Sequence, residues 1–207
     1  LGAEAARKAM ARASVTAAEL DTIVVATSSP DRLLPAAAVE LQHLLGATHS
    51  AAFDVGAACA GWIYGLAVGE GLLASGSAET VLVVGAEKMS TIINWADRAT
   101  CVLFGDGAGA VVLKRSRHQK GLLSVHMRSD GALSNLLQRP KGGSTDPITP
   151  EVVADRSHLV TMAGRDVFKH AVRWRYLREN PALYVEKPRV ERREMEFLLP
   201  EEIRRVL

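Results

Sequence analysis

The chain has 207 residues, 48% of them hydrophobic and 23% charged, a balance that excludes general disorder and allows one sizeable core or two small ones. A formal charge of +2, with basic residues spread out until about residue 170, excludes a nucleic-acid or membrane footprint over the whole length. Two cysteines, Cys59 and Cys101, with no C-x-x-C pair, exclude a secreted disulfide framework and a zinc ribbon and fit a reducing cytoplasm.

In chain order, residues 1–13 place Leu1, Ala5, Ala6, Ala9, Met10 and Ala13 on one helical stripe, which predicts an amphipathic helix. The opening has neither the basic start nor the apolar core of a signal peptide, and the absent initiator methionine leads to the expectation of a truncated N-terminus. "DTIVVATSS" is a short β-branched run, apolar on both faces, and predicts a buried strand. The loop "PDRLLP" follows, then helical spacing in "AAAVELQHLLG" with Gly46 placed to stop it. "SAAFDV" predicts another buried strand, Cys59 to Ser75 another helix, and "ETVLVVGAEK" a third strand. This αβαβαβ order is the signature of a layered α/β domain with a mainly parallel sheet.

The helix from Cys59 is small or apolar nearly all round, with Glu70 as its one charge, so it is expected to be buried on every side. Gly61, Gly65, Gly69 and Gly71 cost about 1 kcal/mol each against alanine in a helix, which close packing would offset. "TCVLFGDGAGAVVL" predicts two strand-like runs around a tight glycine turn, and "GLLSVHMRSDG" a further strand. "RPKGGSTDPITP" predicts an exposed loop, and "SHLVTMAGRDVFKHAVRWRYLREN" a closing helix. No run reaches the roughly 18 apolar residues of a membrane span, no internal repeat is present, and the six histidines show no metal-ligand spacing.

The order strand, tight turn through Gly56, Ala57 and Ala58, then helix sets the Cys59 thiol at a helix N-terminus. Orphan N–H groups and the macrodipole favour an anion there, typically by about 0.3–1 kcal/mol. On the residues alone, Cys59 is open between a small packed residue and a nucleophile. Cys101, inside a strand-like run, reads as structural. "FGDGAGA" lacks the third glycine of G-x-G-x-x-G and the Lys-Ser/Thr of a phosphate loop.

"DVGAACAGWIYGL", "DRATCVLFGDGAGAVVL" about forty residues later and "LVTMAGRDVFKHAV" together resemble β-ketoacyl-acyl-carrier-protein synthase III of the thiolase superfamily, from Leu1 to about Val172. The resemblance implies an α/β, thiolase-like layered αβα half-fold with a mainly parallel mixed sheet, truncated at both ends. It implies an acyltransferase of fatty-acid or polyketide initiation, in which acyl-CoA acylates Cys59 before condensation with malonyl-acyl-carrier protein. Arg98 would pack on the CoA adenine and Phe104 would line the acyl pocket. Leu34 would reach into a partner subunit's pocket and help to set acyl length, and Gly164 and Phe168 would lie along the pantetheine channel. Arg165 stands where the family often carries asparagine. The resemblance also implies a homodimer in the cytoplasm, acyl-CoA as substrate and no separate cofactor.

The family assigns decarboxylation of the malonyl group to a histidine in an H-Q-A-N segment and an asparagine near G-N-x-S, and neither segment occurs in this sequence. The expectation is a chain that accepts an acyl group and has lost the condensing step. The alternatives are a non-catalytic thiolase-fold dimerisation module and a decayed gene-fusion product. Residues 173–207 change character: alternating charges, "RENPA" and "REMEFLLPEEIRRVL" weakly resemble the domain junction of tyrosine recombinases, or form a solvated charged helical tail. The expected division is therefore 1–172 and 173–207. Acidic residues nearly cancel the basic ones in that tail, so nucleic acid is not the expected partner.

Overall fold

The computed structural model describes residues 1–116 and 121–164, together with Lys169, Val172, Arg173 and Arg178. The chain divides into two units, Leu1–Gly164 and Arg165–Leu207, and the division expected at 172/173 falls inside the second. Phe168 and nearly all of the charged tail, including the recombinase-like stretch, lie outside the described residues.

The first unit is built around strands β1 (Thr22–Ala26), β2 (Ala51–Val55), β3 (Thr80–Lys88) and β4 (Asp106–Lys114), in the order β2-β1-β3-β4. β1 runs parallel to both β2 and β3, and β4 pairs antiparallel with β3 along nine residues. The sheet is therefore mixed and mainly parallel, as expected.

All five residues of β1 and the first five of β3 are buried, because helices cover both faces there. On one face, Ile23, Val25, Leu82 and Val84 share a core with Ala6 and Met10 of α1 (Gly2–Ala13) and with Ala38 and Leu41 of α2 (Ala37–Leu45). On the other, Val24, Val81 and Val83 pack with Leu73, Trp62 and Leu66 of α3 (Gly61–Ala74). The odd–even split of one β-branched run between two cores is the pleat of a strand made visible. Gly46 ends α2 with φ 72°, a conformation that an L side chain adopts at a cost.

α3 differs from its expectation. Only Gly61, Gly65, Gly69 and Leu73 are buried, and Ile63 on the outer side remains 47% exposed. The spacing of four puts the glycines on one stripe. A Cβ built on Gly65 would stand 3.1 Å from Val83 Cγ1, and one on Gly69 2.8 Å from Leu113 Cδ1. These glycines let the helix axis sink onto the sheet, whereas a Cβ on Gly71 would meet nothing within 4 Å.

Other expectations are corrected. β2 is an edge strand with partly exposed residues, Phe53 at 36%, because among the described residues it pairs with β1 alone. Residues 105–109 form no tight turn, since Gly107, Ala108 and Gly109 belong to β4. "TCVLFG" is no strand either: Cys101 closes the short helix α4 (Arg98–Cys101), capped by Asp97, whose side chain accepts from Ala99 N–H at 3.1 Å and from the Thr100 hydroxyl at 2.6 Å.

Residues 121–130 form no strand, and Tyr64 of α3 holds them by bonds to Arg128 O at 3.4 Å and Ser129 Oγ at 3.2 Å. The segment read as a closing helix has a short strand near its start, and most of it beyond Gly164 lies outside the described residues. β5 (Leu137–Gln138) pairs antiparallel with β6 (Thr161–Met162), and α5 (Pro150–Ala154) lies between them in sequence. Residues 139–149 are irregular, as expected. Among the described residues, no helix is long and apolar enough to cross a membrane, and no group of side chains could hold a metal ion.

Candidate active site

In a parallel sheet the strands end on one side together, and there the loops can wall a site. The C-terminal ends of β1, β2 and β3 meet the start of antiparallel β4 at such an edge. A cavity of about 610 Å³ opens there, lined by Ala26 from β1, Gly85 and Ala86 from β3, Gly107 to Gly109 from β4, and Cys59. That volume lies within the usual range for small-molecule sites.

Cys59 arrives by a sharp route. After Val55 the chain turns through Gly56 and Ala57, and Ala58 takes φ 45°, the left-handed region that costs an L residue roughly 1–2 kcal/mol. A 3₁₀ turn, Ala58–Ala60, follows and leads into α3 at Gly61. Cys59 is thus one residue before the α-helical N-cap rather than the first helical residue. The Ala60 N–H donates to Ala57 O at 3.0 Å, and the Gly61 N–H donates to Ala58 O. The Cys59 amide precedes both, among the donors that a helix start leaves over. The thiol is free and exposed, so the packed reading of this residue falls away.

The walls are mostly apolar. The Trp62 ring lies over Gly85, where a Cβ would stand 3.2 Å from Cε3, so glycine is what lets the indole approach the strand. Phe104 lines the cavity as well. Ser28, Glu87 and Arg139 bring polar groups to it. Glu87 accepts from the Ser28 N–H at 2.8 Å and from the Ser29 hydroxyl, and Arg139 Nε donates to His158 O at 2.8 Å.

The start of β4 is pinned by Asp106. Its carboxylate accepts from the Ser90 N–H at 2.8 Å, the Ser90 hydroxyl at 2.7 Å and Lys88 Nζ at 3.3 Å. These bonds, the Ser90 amide first, hold its carboxyl below the ordinary aspartate range. They also fix Met89, which lines the cavity.

The structure brings Cys59 and Phe104 together on one cavity. Arg98, exposed on α4, Leu34, 85% exposed on its loop, and Gly164 are not among its lining residues. Sequence reasoning passed over Trp62, Glu87 and Arg139. The signal for Trp62 was its place three residues after Cys59, and for Glu87 a carboxylate at the end of an apolar strand.

Comparison with known proteins agrees on one relationship. The family described as 3-oxoacyl-[acyl-carrier-protein (ACP)] synthase III matches residues 53–131. A β-ketoacyl-[acyl-carrier-protein] synthase III of Roseiflexus castenholzii is 48% identical over 173 residues, covering 84% of this chain and 52% of the relative. The crystal structure of 3-oxoacyl-[acyl-carrier-protein] synthase III from Aquifex aeolicus superposes with a TM-score of 0.74 at 40% identity, covering 84% of this chain and 52% of that one. The priming β-ketosynthase from the R1128 polyketide pathway gives 0.70 at 34% identity, covering 84% and 51%. The chain spans about half the length of the relatives it matches.

Proposed function

Because this chain belongs to the β-ketoacyl-acyl-carrier-protein synthase III family, we propose that Cys59 accepts an acyl group from acyl-CoA. The observation that supports this most is the placement of an exposed thiol, after a strained turn and before a helix, on an apolar cavity of ligand size. The Cys59 sulfur bonds to the acyl carbon, the bond from that carbon to the CoA sulfur breaks, and the thiol proton ends on the CoA sulfur. The Cys59 amide, left over at the entrance to α3, is a donor of the kind that stabilises charge building on a thioester oxygen, where such a donor is worth about 10²–10³ in rate. Apolar walls suit an alkyl chain, which displaces water from them as it binds.

Phe104 then lines the acyl channel, Leu34 serves the pocket of a second copy, and Gly164 borders the pantetheine arm. Arg98, with its planar guanidinium, stacks on the adenine. Condensation with malonyl-acyl-carrier protein is the second half of the reaction. The segments assigned to it, H-Q-A-N and G-N-x-S, are not among these 207 residues, so acyl acceptance is the part these residues carry. A cytoplasmic setting for this chemistry is supported by the two cysteines, which form no C-x-x-C pair.

The test is peptide mass mapping after incubation with acetyl-CoA. An acyl adduct on Cys59 and none on Cys101 is expected, with loss of the adduct in Cys59→Ala. No adduct on a folded sample, or an equal one in Cys59→Ala, refutes the proposal.

A second reading rests on the outer face of α3, where Ile63 is uncovered: the unit serves to bind another thiolase-fold chain. It predicts stable association without any acylation.

A further inference from the structure

Residues 27–36 leave β1 and return to α2, and their two ends are fastened differently. At the far end, Asp54 of β2 accepts from the Ala37 and Ala38 N–H groups, both at 2.8 Å, which fixes the start of α2. Arg32 is paired with Glu40. At the near end the β1–β3 ladder stops at Ala26 opposite Gly85, and a side chain takes over. Glu87, two residues further along β3 and half-buried, accepts from the Ser28 N–H at 2.8 Å and from the Ser29 hydroxyl. Ser29 Oγ in turn accepts from the Lys88 N–H at 2.7 Å, and the Ser29 N–H donates to Thr27 Oγ1 at 3.1 Å. One carboxylate and one hydroxyl thereby extend the pairing of two parallel strands beyond the last ladder residue. Between the two anchors stand Leu33 and Leu34, each 85% exposed.

Ser28 and Glu87 line the same cavity as Cys59. The fastened segment is therefore a cavity wall at one end and the base of an apolar projection at the other. We infer that Glu87 is a positioning residue that sets which acyl lengths Cys59 accepts, by holding residues 27–29 against the end of β3. This rests on the reading of Cys59 as the acyl acceptor. A carboxylate suits the task, since it accepts two bonds at once and bonds to an ionised acceptor are roughly twice as strong as neutral ones. An amide in its place would turn an N–H₂ group toward one of the two donors.

The test uses the full chain with Glu87→Ala, Glu87→Gln and Ser29→Ala, and two readouts. The first is amide hydrogen exchange. The Ser28 amide is expected to exchange at least tenfold faster in Glu87→Ala, and the Lys88 amide at least tenfold faster in Ser29→Ala, with Ile23 and Val83 in the core strands unchanged. If Ser28 and Lys88 exchange as in the parent, the fastening is refuted. If the core strands also open in Glu87→Ala, Ser29→Ala decides.

The second readout is the ratio of Cys59 acylation rates by octanoyl-CoA and acetyl-CoA, which a loss of stability alone does not move. It is expected to shift by tenfold or more in Glu87→Ala and by less in Glu87→Gln. A constant ratio alongside accelerated exchange overturns the inference while leaving the acyl-acceptor reading intact. A parent that neither acyl-CoA labels refutes that reading, and the length-setting role of Glu87 with it.

Discussion

At the scale of single residues, Cys59 shows what local chemistry can and cannot say. The strand, turn and helix around it were legible, because Val55, Gly56 and the apolar run after Gly61 punctuate the chain by their own preferences. Its exposure was not, because that depends on what the rest of the fold lays over it. The left-handed Ala58 was also illegible: nothing in an alanine announces φ 45°, and only the surroundings impose it. Asp106 yields a prediction at this scale. Its carboxyl sits below the ordinary aspartate value of 3.8, through Ser90 first and then Lys88. A group depressed in the folded state adds stability above its unfolded value, and loses it as pH falls through the folded one. Urea unfolding across the acid limb should therefore show the parent losing stability more steeply below about pH 4 than Asp106→Asn. Parallel acid limbs for the two proteins would contradict the assignment.

At the scale of elements, the buried strands were readable because β-branched runs with two apolar faces have few other places to go. β4 was not. Its start, "DGAGA", looks locally like a turn, yet Gly107, Ala108 and Gly109 pair with Glu87, Ala86 and Gly85. Small residues stand there because the cavity passes over them, a reason that lies far back in the chain at Cys59. The glycines of α3 separate in the same way. Gly65 faces the stiff Val83 at 3.1 Å, while Gly71 faces open space. Gly71→Ala should raise stability by up to about 1 kcal/mol, the helix-propensity difference. Gly65→Ala should lower it by about 1–2 kcal/mol, because overpacking a core typically costs about 1–3 kcal/mol and outweighs that gain. Chemical denaturation of both variants reads the signs, and equal shifts would mean that the glycine stripe does not set the helix-to-sheet distance.

At the scale of the whole molecule, the layered α/β plan was evident from the alternation of helical and strand patterns, and its helix-sheet-helix arrangement follows from them. The expectation that α3 is buried all round was not met, since apolar character states a preference for cover without supplying it. Leu33 and Leu34 project at 85% exposure and Ile63 at 47%, and exposed apolar groups of this size mark surfaces that associate. Sedimentation velocity over a range of concentrations should show dimers or larger species, and Leu34→Asp should move the population toward monomer. A monodisperse monomer at every concentration would count against both the homodimer and the interaction-module reading.

The contact between Trp62 and Gly85 has an optical consequence. The indole lines the cavity, so a chain that fills it displaces water from the ring and shifts the emission toward the blue. Trp95, 58% exposed and absent from the cavity wall, has no reason to respond. Occupancy beside Cys59 can therefore be followed without any label as the difference in emission between the parent and Trp62→Phe, in which the signals of Trp95 and of Trp174 cancel.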